Sequence, residues 1–351
     1  MRKAAILGAG YMGTAMAWPL SDNGFEIHLI GTHLDGEIIQ SCKRKNFHPR
    51  LKRYLPKNVT PFFIEELETA LMDTEFIVSG VNSMGVRWIG KKLSPYLKPG
   101  DRIISITKGL ETDRDGKLVI LPEVLRSELS EGILESVSIT AVGGPCIAGE
   151  LAGRRPSCVF FGCRDLLTAE YFSDIFRTNY YHIWTTADIA SLEMAVALKN
   201  AYAAGVSTAL GVLENAGGAD KSGAYMHNLS AALFAQSGRE MRTVLDMLGL
   251  DPSYAAGLPG VGDLYVTCQG GRSNLLGKWL GKGLSYEEAH QKLSGVTLEA
   301  AYVIQQFARA IPRLESSFGL TRSQLPLMYS LVDVIAKGKS LEIPLEEFFF
   351  S

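Results

Sequence analysis

The amino-acid sequence predicts an N-terminal α/β domain with a doubly wound, largely parallel sheet, followed by an all-α domain. Three observations support this fold class. A strand, a glycine turn, a helix and a second strand open the chain, and strand-like and helical segments then alternate as far as Trp184. Beyond Trp184 almost every pattern is helical. We expect the first domain to span residues 1–186 and the helical domain to span residues 187–351.

The glycine turn lies within the first strand–helix unit. Gly8, Gly10 and Gly13 follow an apolar run that starts at Lys3, and a second strand starts at Glu26. The first glycine permits a tight turn, the second lets the backbone approach a pyrophosphate, and the third lets helix and strand pack closely. This context predicts a Rossmann-type dinucleotide site in preference to a purely structural turn.

Further elements follow from hydrophobic period and turn residues. Strand-like runs recur at residues 76–80, 102–107, 137–142, 158–161 and 181–184. Helical patterns lie at residues 64–72, 86–97, 189–215, 219–249, 273–280, 286–293, 298–310 and 325–337. Pro19 lies inside the first helical pattern and is expected to end or kink that helix.

Composition narrows the function classes. The net charge of −2 indicates neither a nucleic-acid nor a membrane partner. The longest apolar stretch contains Glu193, Lys199 and Asn200, so we interpret it as a core helix and expect no integral membrane span. Five scattered cysteines indicate reduced thiols in a cytoplasmic chain, and we expect no metal site.

One basic cluster lies between residues 43 and 57. Its members are Lys43, Arg44, Lys45, Arg50, Lys52, Arg53 and Lys57. We interpret it as a solvated loop. The alternatives are a nucleic-acid patch, which the slightly acidic chain disfavours, and electrostatic attraction of cofactor phosphates.

Polar residues in apolar surroundings are candidates for chemistry. Lys199 stands in a helix that is hydrophobic almost all round, where it either reaches the surface or acts in proton transfer. Asn200 beside it can orient a hydroxyl or bond to backbone. Further along, Gly270-Gly271 precedes Arg272 and Ser273, which suits an anion site, although a glycine-rich loop with a surface arginine is the alternative.

Two strand ends carry further candidates. Lys108 directly follows an apolar strand, and Gly144 follows another. Ligands of open α/β sheets bind beyond the carboxyl ends of the strands, so both positions suit a substrate cleft. A solvated lysine and an ordinary strand-to-helix turn are the alternatives.

In this order, these segments resemble the NAD(P)-dependent glycerol-3-phosphate dehydrogenases over nearly the whole chain. The shared motifs are the glycine turn at 8–13, Thr107-Lys108-Gly109-Leu110, the segment from Gly144 to Glu150, Leu198-Lys199-Asn200, the segment from Gly262 to Cys268, and Gly270-Gly271-Arg272. The resemblance implies interconversion of sn-glycerol 3-phosphate and dihydroxyacetone phosphate, within glycerophospholipid metabolism.

The resemblance also implies residue roles. Lys199 is the general acid/base, supported by Lys108 and Asp263. The expected substrate ligands are Lys108, Gly144, Asn200, Asp263, Thr267, Arg272, Ser273 and Asn274. The expected cofactor contacts are Gly8, Gly10, Tyr11, Met12, Gly13, Thr32, His33, Lys108, Ala148, Arg272 and Glu299.

Some positions depart from the family pattern. Ser273 stands where the family usually has Asn, Ala300 where Gly is usual after the glutamate, and Asn82 where Pro is common. The second strand ends at Thr32 and His33, without the acid that usually bonds the ribose of NAD. We therefore expect NAD or NADP as cofactor and favour NADP, with either side chain bonding the 2′-phosphate.

Other functions remain open from the sequence. The first alternative is a dehydrogenase of similar architecture that acts on a hydroxyacid, an acyl-CoA or a phosphosugar. The second is a non-catalytic nucleotide sensor. The partner we expect is a small phosphorylated triose, and the apolar helical domain favours a homodimer.

Overall fold

The computed structural model describes residues 2–349. The chain forms two compact units, Met1–Lys108 with Leu121–Ile189, and Gly109–Ile120 with Ala190–Ser351. Residues 109–120 therefore group with the helical unit, although they precede the boundary expected near residue 187. The domain limits drawn from the sequence stay a prediction.

Strands dominate the first unit, where ten of the twelve described strands lie. The strands are β1 (Lys3–Leu7), β2 (Glu26–Ile30), β3 (Phe47–His48), β4 (Arg53–Tyr54), β5 (Val59–Phe62), β6 (Ile77–Ser79), β7 (Arg102–Ser105), β8 (Leu110–Thr112), β9 (Leu118–Ile120), β10 (Ser138–Gly143), β11 (Ser157–Gly162) and β12 (Tyr181–Thr186). Two short hairpins, β3–β4 and β8–β9, stand apart from the main sheet.

The main sheet has eight strands in the order β12-β11-β10-β7-β6-β1-β2-β5. The six strands from β10 to β5 are parallel to one another, whereas β11 runs antiparallel to β10 and is followed by a parallel β12. This arrangement confirms the predicted doubly wound, largely parallel sheet. The strand order reverses between β1 and β6, the place where such sheets bind ligands.

Three glycines pack against one another at this reversal. A Cβ atom on Gly8 would lie 2.5 Å from the Gly80 carbonyl oxygen, and one on Gly13 would lie 2.2 Å from the Gly8 carbonyl oxygen. Gly8 also has a φ of +117°, which L side chains rarely adopt. The glycine turn is thus required by packing against β6 and by its own backbone conformation.

Sixteen α-helices lie within the described residues. They are α1 (Tyr11–Ala15), α2 (Ala17–Asp22), α3 (Gly36–Lys45), α4 (Leu67–Leu71), α5 (Val86–Leu93), α6 (Leu121–Arg126), α7 (Ala148–Ala152), α8 (Leu166–Phe176), α9 (Ile189–Asn215), α10 (His227–Met247), α11 (Ser253–Ala256), α12 (Asp263–Cys268), α13 (Arg272–Gly281), α14 (Tyr286–Lys292), α15 (Glu299–Phe318) and α16 (Pro326–Lys337). The helical half of the chain matches the predicted class, with the β8–β9 hairpin as its addition.

Helix α9 is long and apolar enough to span a membrane by length and composition. In the 18-residue window that meets this criterion, 83% of the residues are buried inside the protein. Its burial agrees with the core helix that the sequence predicts.

The N-terminal helix breaks where Pro19 predicts a disturbance. Helix α1 ends at Ala15, and α2 starts at Ala17 after the single turn residue Met16. Pro19 then lies in the first turn of α2. Backbone N–H groups in this turn have no partner within the helix, so the N–H that proline lacks is not needed there.

Two predictions in the sequence were wrong in extent. The helix expected from residue 219 starts at His227, because Gly217, Gly218 and Gly223 all have positive φ and the Asp220 carboxylate accepts N–H groups of the following turn. The basic cluster expected as a loop contains the last turn of α3 and the β3–β4 hairpin.

The β8–β9 hairpin packs on α15. The Thr112 N–H donates to the side-chain oxygen of Gln306 at 2.9 Å, and the Thr112 hydroxyl donates to the Gln306 carbonyl at 2.6 Å. These bonds tie the hairpin to the helical unit directly after Lys108 in sequence.

Candidate active site

Lys199 projects from the middle of α9 and is only 5% exposed. Its ammonium donates to the Asp263 carboxylate at 3.0 Å and to the Thr267 hydroxyl at 2.8 Å. Asp263 is 2% exposed, so the pair is a buried ion pair. The sequence left open whether Lys199 reaches the surface or acts in proton transfer. Its burial excludes the first possibility.

The local chain geometry places both partners of Lys199 on one helix face. Asp263 starts α12, after the wide helical turn Leu258–Gly262, and Thr267 follows four residues later. Residues at this spacing are neighbours on a helix surface. The Thr267 hydroxyl donates to the Asp263 carbonyl at 2.7 Å, so it meets Lys199 as an acceptor.

Cys268 next to this cluster lacks the lowered pKa that is typical of a reactive thiol. Burial raises the pKa of its thiol to about 12, although the Lys199 charge acts in the opposite direction. A thiol with this pKa stays protonated at neutral pH.

The predicted anion segment opens α13. Gly271 has a φ of +88°, a conformation that favours glycine, and Arg272 follows as the first helical residue with an exposed side chain. Ser273 is buried at 7% exposure. An exposed guanidinium at a helix start suits an anion.

Asn274 has a structural role in this arrangement. Its amide nitrogen donates to the Ser207 hydroxyl at 3.2 Å and to the Cys268 carbonyl at 2.8 Å. Both amide protons therefore bond the protein, and a direct contact of Asn274 with a phosphate stays a prediction. Asn200, one residue after the catalytic candidate, is buried at 7% exposure.

Glycines hold α13 close to α9. A Cβ atom on Gly277 would lie 2.0 Å from the Ala204 carbonyl oxygen, and one on Gly281 would lie 2.0 Å from the Thr208 carbonyl oxygen. The two helices touch backbone to backbone, which fixes the position of Arg272 on the helical unit that carries Lys199.

Lys108 and Gly144 meet within the first unit, as the strand-end argument predicts. Lys108 follows β7, Gly144 follows the neighbouring β10, and the Lys108 ammonium donates to the Gly144 carbonyl at 2.9 Å. Gly144 has a φ of +124°. Their roles as substrate ligands stay predictions.

The glycine turn has the shape that a dinucleotide requires. A Cβ atom on Gly10 would come no closer than 4.0 Å to the Gly80 carbonyl oxygen, so packing does not demand this glycine. It leaves open backbone at the start of α1, next to Tyr11, which is 54% exposed, and Met12. The residues present therefore fit the pyrophosphate of a dinucleotide.

Two residues that sequence reasoning missed hold the peptide groups of Ala9 within this turn. Asp35 accepts the Ala9 N–H at 3.2 Å, and His48 bonds the Ala9 carbonyl at 2.9 Å through Nε2. Neither residue was assigned a role from the sequence.

Thr32 and His33, the expected 2′-phosphate ligands, differ in their surroundings. The Thr32 hydroxyl donates to Asp35 at 2.7 Å and accepts the Leu34 N–H at 3.2 Å, so its proton points into the protein. His33 is exposed, and its ring centroid lies 5.2 Å from that of Trp88. A phosphate contact by either residue stays a prediction.

The remaining predicted cofactor residues start helices. Ala148 starts α7 in the first unit, and Glu299 starts α15 in the second. Ala300, which departs from the family pattern, is 1% exposed and packs into the core. Among residues 2–349 no cluster of three His, Cys, Asp or Glu side chains suits a metal ion.

A doubly wound sheet with a dinucleotide turn, together with a buried lysine–aspartate pair on a helical unit, defines a nicotinamide-dependent dehydrogenase. Residues 3–169 match the family model for the N-terminus of NAD-dependent glycerol-3-phosphate dehydrogenase, and residues 188–346 match the model for its C-terminus. The chain therefore belongs to the NAD-dependent glycerol-3-phosphate dehydrogenase family.

Individual relatives agree with this family. The chain is 35% identical over 343 residues to the NADP(+)-dependent glycerol-3-phosphate dehydrogenase of Archaeoglobus fulgidus, with 96% of each chain covered. It is 29% identical over 357 residues to glycerol-3-phosphate dehydrogenase [NAD(P)+] of Bacillus velezensis, covering 99% of this chain and 93% of the relative.

Solved structures show the same fold. Glycerol-3-phosphate dehydrogenase from Coxiella burnetii superposes with a TM-score of 0.80 at 22% identity, covering 99% of this chain and 98% of that one. A ketopantoate reductase from Ralstonia eutropha gives a TM-score of 0.56 at 15% identity, covering 96% and 98%. The fold is thus shared with enzymes outside the family.

Proposed function

We propose that this chain interconverts sn-glycerol 3-phosphate and dihydroxyacetone phosphate in a nicotinamide-dependent reaction. The relatives' names, glycerol-3-phosphate dehydrogenases that use NADP(+) or NAD(P)+, support this proposal. The buried Lys199–Asp263 pair is the observation that carries the proposal. A dehydrogenase needs a proton donor for the oxygen at the reacting carbon, and Lys199 is a buried cation held in one position by two partners.

Lys199 acts on the substrate oxygen in both directions. Reduction of dihydroxyacetone phosphate places negative charge on the C2 oxygen, and the protonated lysine stabilises that charge and donates a proton. In the reverse direction the neutral lysine accepts the proton of the C2 hydroxyl. The Asp263 carboxylate keeps the ammonium in place at 3.0 Å and offsets its burial.

Arg272 holds the phosphate of the triose. Its side chain is exposed at the start of α13, and no neighbouring atom lies within 4 Å of the Cβ positions of the two preceding glycines, which leaves space for an anion near this backbone. Fixing the phosphate fixes the reacting carbon, and such positioning is a large part of the catalytic effect. Lys108, which follows β7 and precedes Gly109, is a further proposed substrate ligand.

The residues from Gly8 to Gly13 hold the dinucleotide, which when bound supplies or accepts the hydride. The open backbone at Gly10 supports this role. We also propose a cytoplasmic location and a homodimer. The apolar helical half of the chain supports the dimer.

An assay of NADH and NADPH oxidation tests the proposed function. We expect turnover with dihydroxyacetone phosphate and at most slow turnover with ketoacids of similar size. Arg272→Gln should raise the KM for dihydroxyacetone phosphate by roughly 10–100-fold, since an Arg–phosphate contact is charge-assisted.

The unphosphorylated ketone is the matched control. Dihydroxyacetone should react poorly with the parent enzyme and be hardly affected by Arg272→Gln. Equal losses with both ketones would contradict the phosphate role of Arg272, and preferential turnover of ketoacids would contradict the proposed reaction.

A further inference from the structure

We propose that this chain selects the dinucleotide that carries a 2′-phosphate, and that Arg50, on the β3–β4 hairpin, recognises this phosphate. The inference rests on the proposed function, because it assumes that a nicotinamide dinucleotide binds at the glycine turn. From the sequence we expect the 2′-phosphate ligand at the end of β2, at Thr32 or His33. The proposed ligand lies on a different segment, the β3–β4 hairpin.

The acid nearest the end of β2 is hydrogen-bonded to other groups of the protein. Asp35 is 6% exposed, and one of its oxygens accepts three hydrogen bonds, from the Ala9 N–H, the Thr32 N–H and the Thr32 hydroxyl. Asp35 is therefore a positioning residue of the glycine turn. Three protein donors thus engage one oxygen of the acid that stands closest to the strand end, where sites for NAD select against a 2′-phosphate by bonding the ribose hydroxyls.

His48 ties the basic hairpin to the same turn. Its Nδ1 accepts the Leu51 N–H at 3.0 Å, so the proton lies on Nε2 and is donated to the Ala9 carbonyl at 2.9 Å. The ring is fully buried. The hairpin tip, residues 49–52, is thus carried on a residue bonded directly to the dinucleotide turn.

Arg50 lies on this tip with an exposed side chain. Burial lowers the pKa of His48, its bond to the Ala9 carbonyl acts in the opposite direction, and the nearby Arg50 charge lowers it further. A guanidinium on the hairpin that His48 ties to this turn adds positive charge on the side of the sheet where β2 ends. A phosphate monoester matches the fork of an arginine.

Other basic residues of the cluster are directed elsewhere. Lys43 pairs with Glu66 and lies over the Phe63 ring, and Arg53 donates to the Gly149 carbonyl at 3.4 Å. Arg44 and Lys45 line a groove against the outer strand β5. Lys57 precedes the amino end of β5, opposite the edge where ligands bind. Arg50 and Lys52 remain on the hairpin tip.

Calorimetric titration of the full-length protein tests the inference without turnover. The probes are NADPH and NADH, with 2′,5′-ADP and 5′-AMP as fragments. We expect the parent protein to bind NADPH at least tenfold more tightly than NADH. Arg50→Gln should weaken NADPH and 2′,5′-ADP about tenfold or more and leave NADH within twofold.

Two charge-matched variants serve as controls. Lys52→Gln removes a cation from the same tip, and Arg44→Gln removes an arginine from the same cluster. Both should leave the ratio of NADPH to NADH affinity within about threefold, which is the level expected for screened surface charges. If Lys52→Gln instead abolished the preference, the assignment to Arg50 would be overturned.

Asp35→Asn separates positioning from recognition. A residue that only holds the turn should weaken both dinucleotides alike. If Asp35→Asn strengthened the binding of NADPH alone, the carboxylate would face the ribose and the inference would fail.

Equal binding of NADPH and NADH by the parent protein would also overturn the inference, while turnover of dihydroxyacetone phosphate would still support the proposed function. If neither dinucleotide bound, the proposed function would fail as well.

Discussion

The Thr267 hydroxyl accepts a hydrogen bond from the Lys199 ammonium at 2.8 Å. Its own proton is donated to the Asp263 carbonyl, one helical turn earlier. The hydroxyl therefore presents only an acceptor to the lysine. The sequence resemblance implies that Thr267 is a substrate ligand, and that role stays a prediction. From its contacts we propose that Thr267 also positions Lys199.

This relationship predicts the effect of Thr267→Val, which keeps the shape and removes the acceptor. A hydrogen bond to a charged group contributes about 1.5–3 kcal/mol, so we expect kcat to fall roughly 10–100-fold. The KM for dihydroxyacetone phosphate should change little. Thr267→Ser keeps the hydroxyl and should recover most of the activity in steady-state assays. A large rise in KM with unchanged kcat would instead indicate a substrate ligand.

The buried ion pair predicts a separation of activity from stability. Lys199→Met should lower kcat by roughly 10²–10⁴, the usual contribution of general acid–base catalysis. It also leaves the Asp263 carboxylate buried without its cation, which costs about 3–5 kcal/mol of unfolding free energy.

The double variant Lys199→Met/Asp263→Asn provides the control, since it removes both charges. Its unfolding free energy, measured by urea denaturation, should recover most of the loss, while its turnover should stay low. Dinucleotide affinity should match that of the parent protein in both variants. Recovery of turnover in the double variant would contradict the proton-transfer role of Lys199.

The close contact between α13 and α9 predicts that Gly277 cannot be replaced by a larger residue. A Cβ atom there would lie 2.0 Å from the Ala204 carbonyl oxygen, so Gly277→Ala must push α13 away from α9. We expect a loss of about 1–3 kcal/mol in unfolding free energy and a raised KM, because Arg272 moves with α13.

Gly36→Ala is the matched control for that substitution. Gly36 is a helical glycine with no protein atom within 4 Å of its Cβ position, so alanine should leave stability unchanged or raise it slightly. Chemical denaturation and the KM for dihydroxyacetone phosphate check both variants. Unchanged KM in a destabilised Gly277→Ala would show that the helix contact does not position Arg272.

Local patterns in the sequence were sufficient for most helices and for every strand of the main sheet except the edge strand β5. The glycine turn could be recognised because Gly8 and Gly13 serve one local strand–helix unit, and Lys108 because strand ends are visible in sequence. The partner of that turn, Gly80, could not be recognised, since its contact depends on strand order.

Long-range contacts explain the other omissions. Thr112 and Gln306 bond across 194 residues, so nothing local to either residue could place the β8–β9 hairpin with the helical unit. His48 is likewise bonded to a turn 39 residues earlier. In both cases the deciding hydrogen bond joins segments that are far apart in sequence, so the role emerges only from the folded chain.

Glu240 predicts how stability depends on pH. This carboxylate is completely buried on α10, and it accepts hydrogen bonds from Tyr202, Gln236 and the first backbone N–H groups of α16, at Leu327 and Met328. Burial raises its pKa from 4.5 to about 7, an effect larger than the opposing effect of these donors.

The folded protein and the unfolded chain bind different numbers of protons at Glu240, and this difference sets how the free energy of unfolding changes with pH. Between about pH 4.5 and pH 7 the folded protein keeps a proton on Glu240 that the unfolded chain has released, so the free energy of unfolding falls as pH rises through this window. The shift corresponds to about 3 kcal/mol across the window, and above pH 7 this contribution is lost.

Glu240→Gln is neutral at every pH and should remove this part of the pH dependence. Urea denaturation at pH 5 and pH 8 measures it, with Glu342→Gln as the control because Glu342 is a glutamate with an exposed side chain. We expect the parent protein and the control to lose more stability than Glu240→Gln between the two pH values. The same slope in all three proteins would show that the Glu240 carboxylate is ionised throughout, with its four donors outweighing its burial.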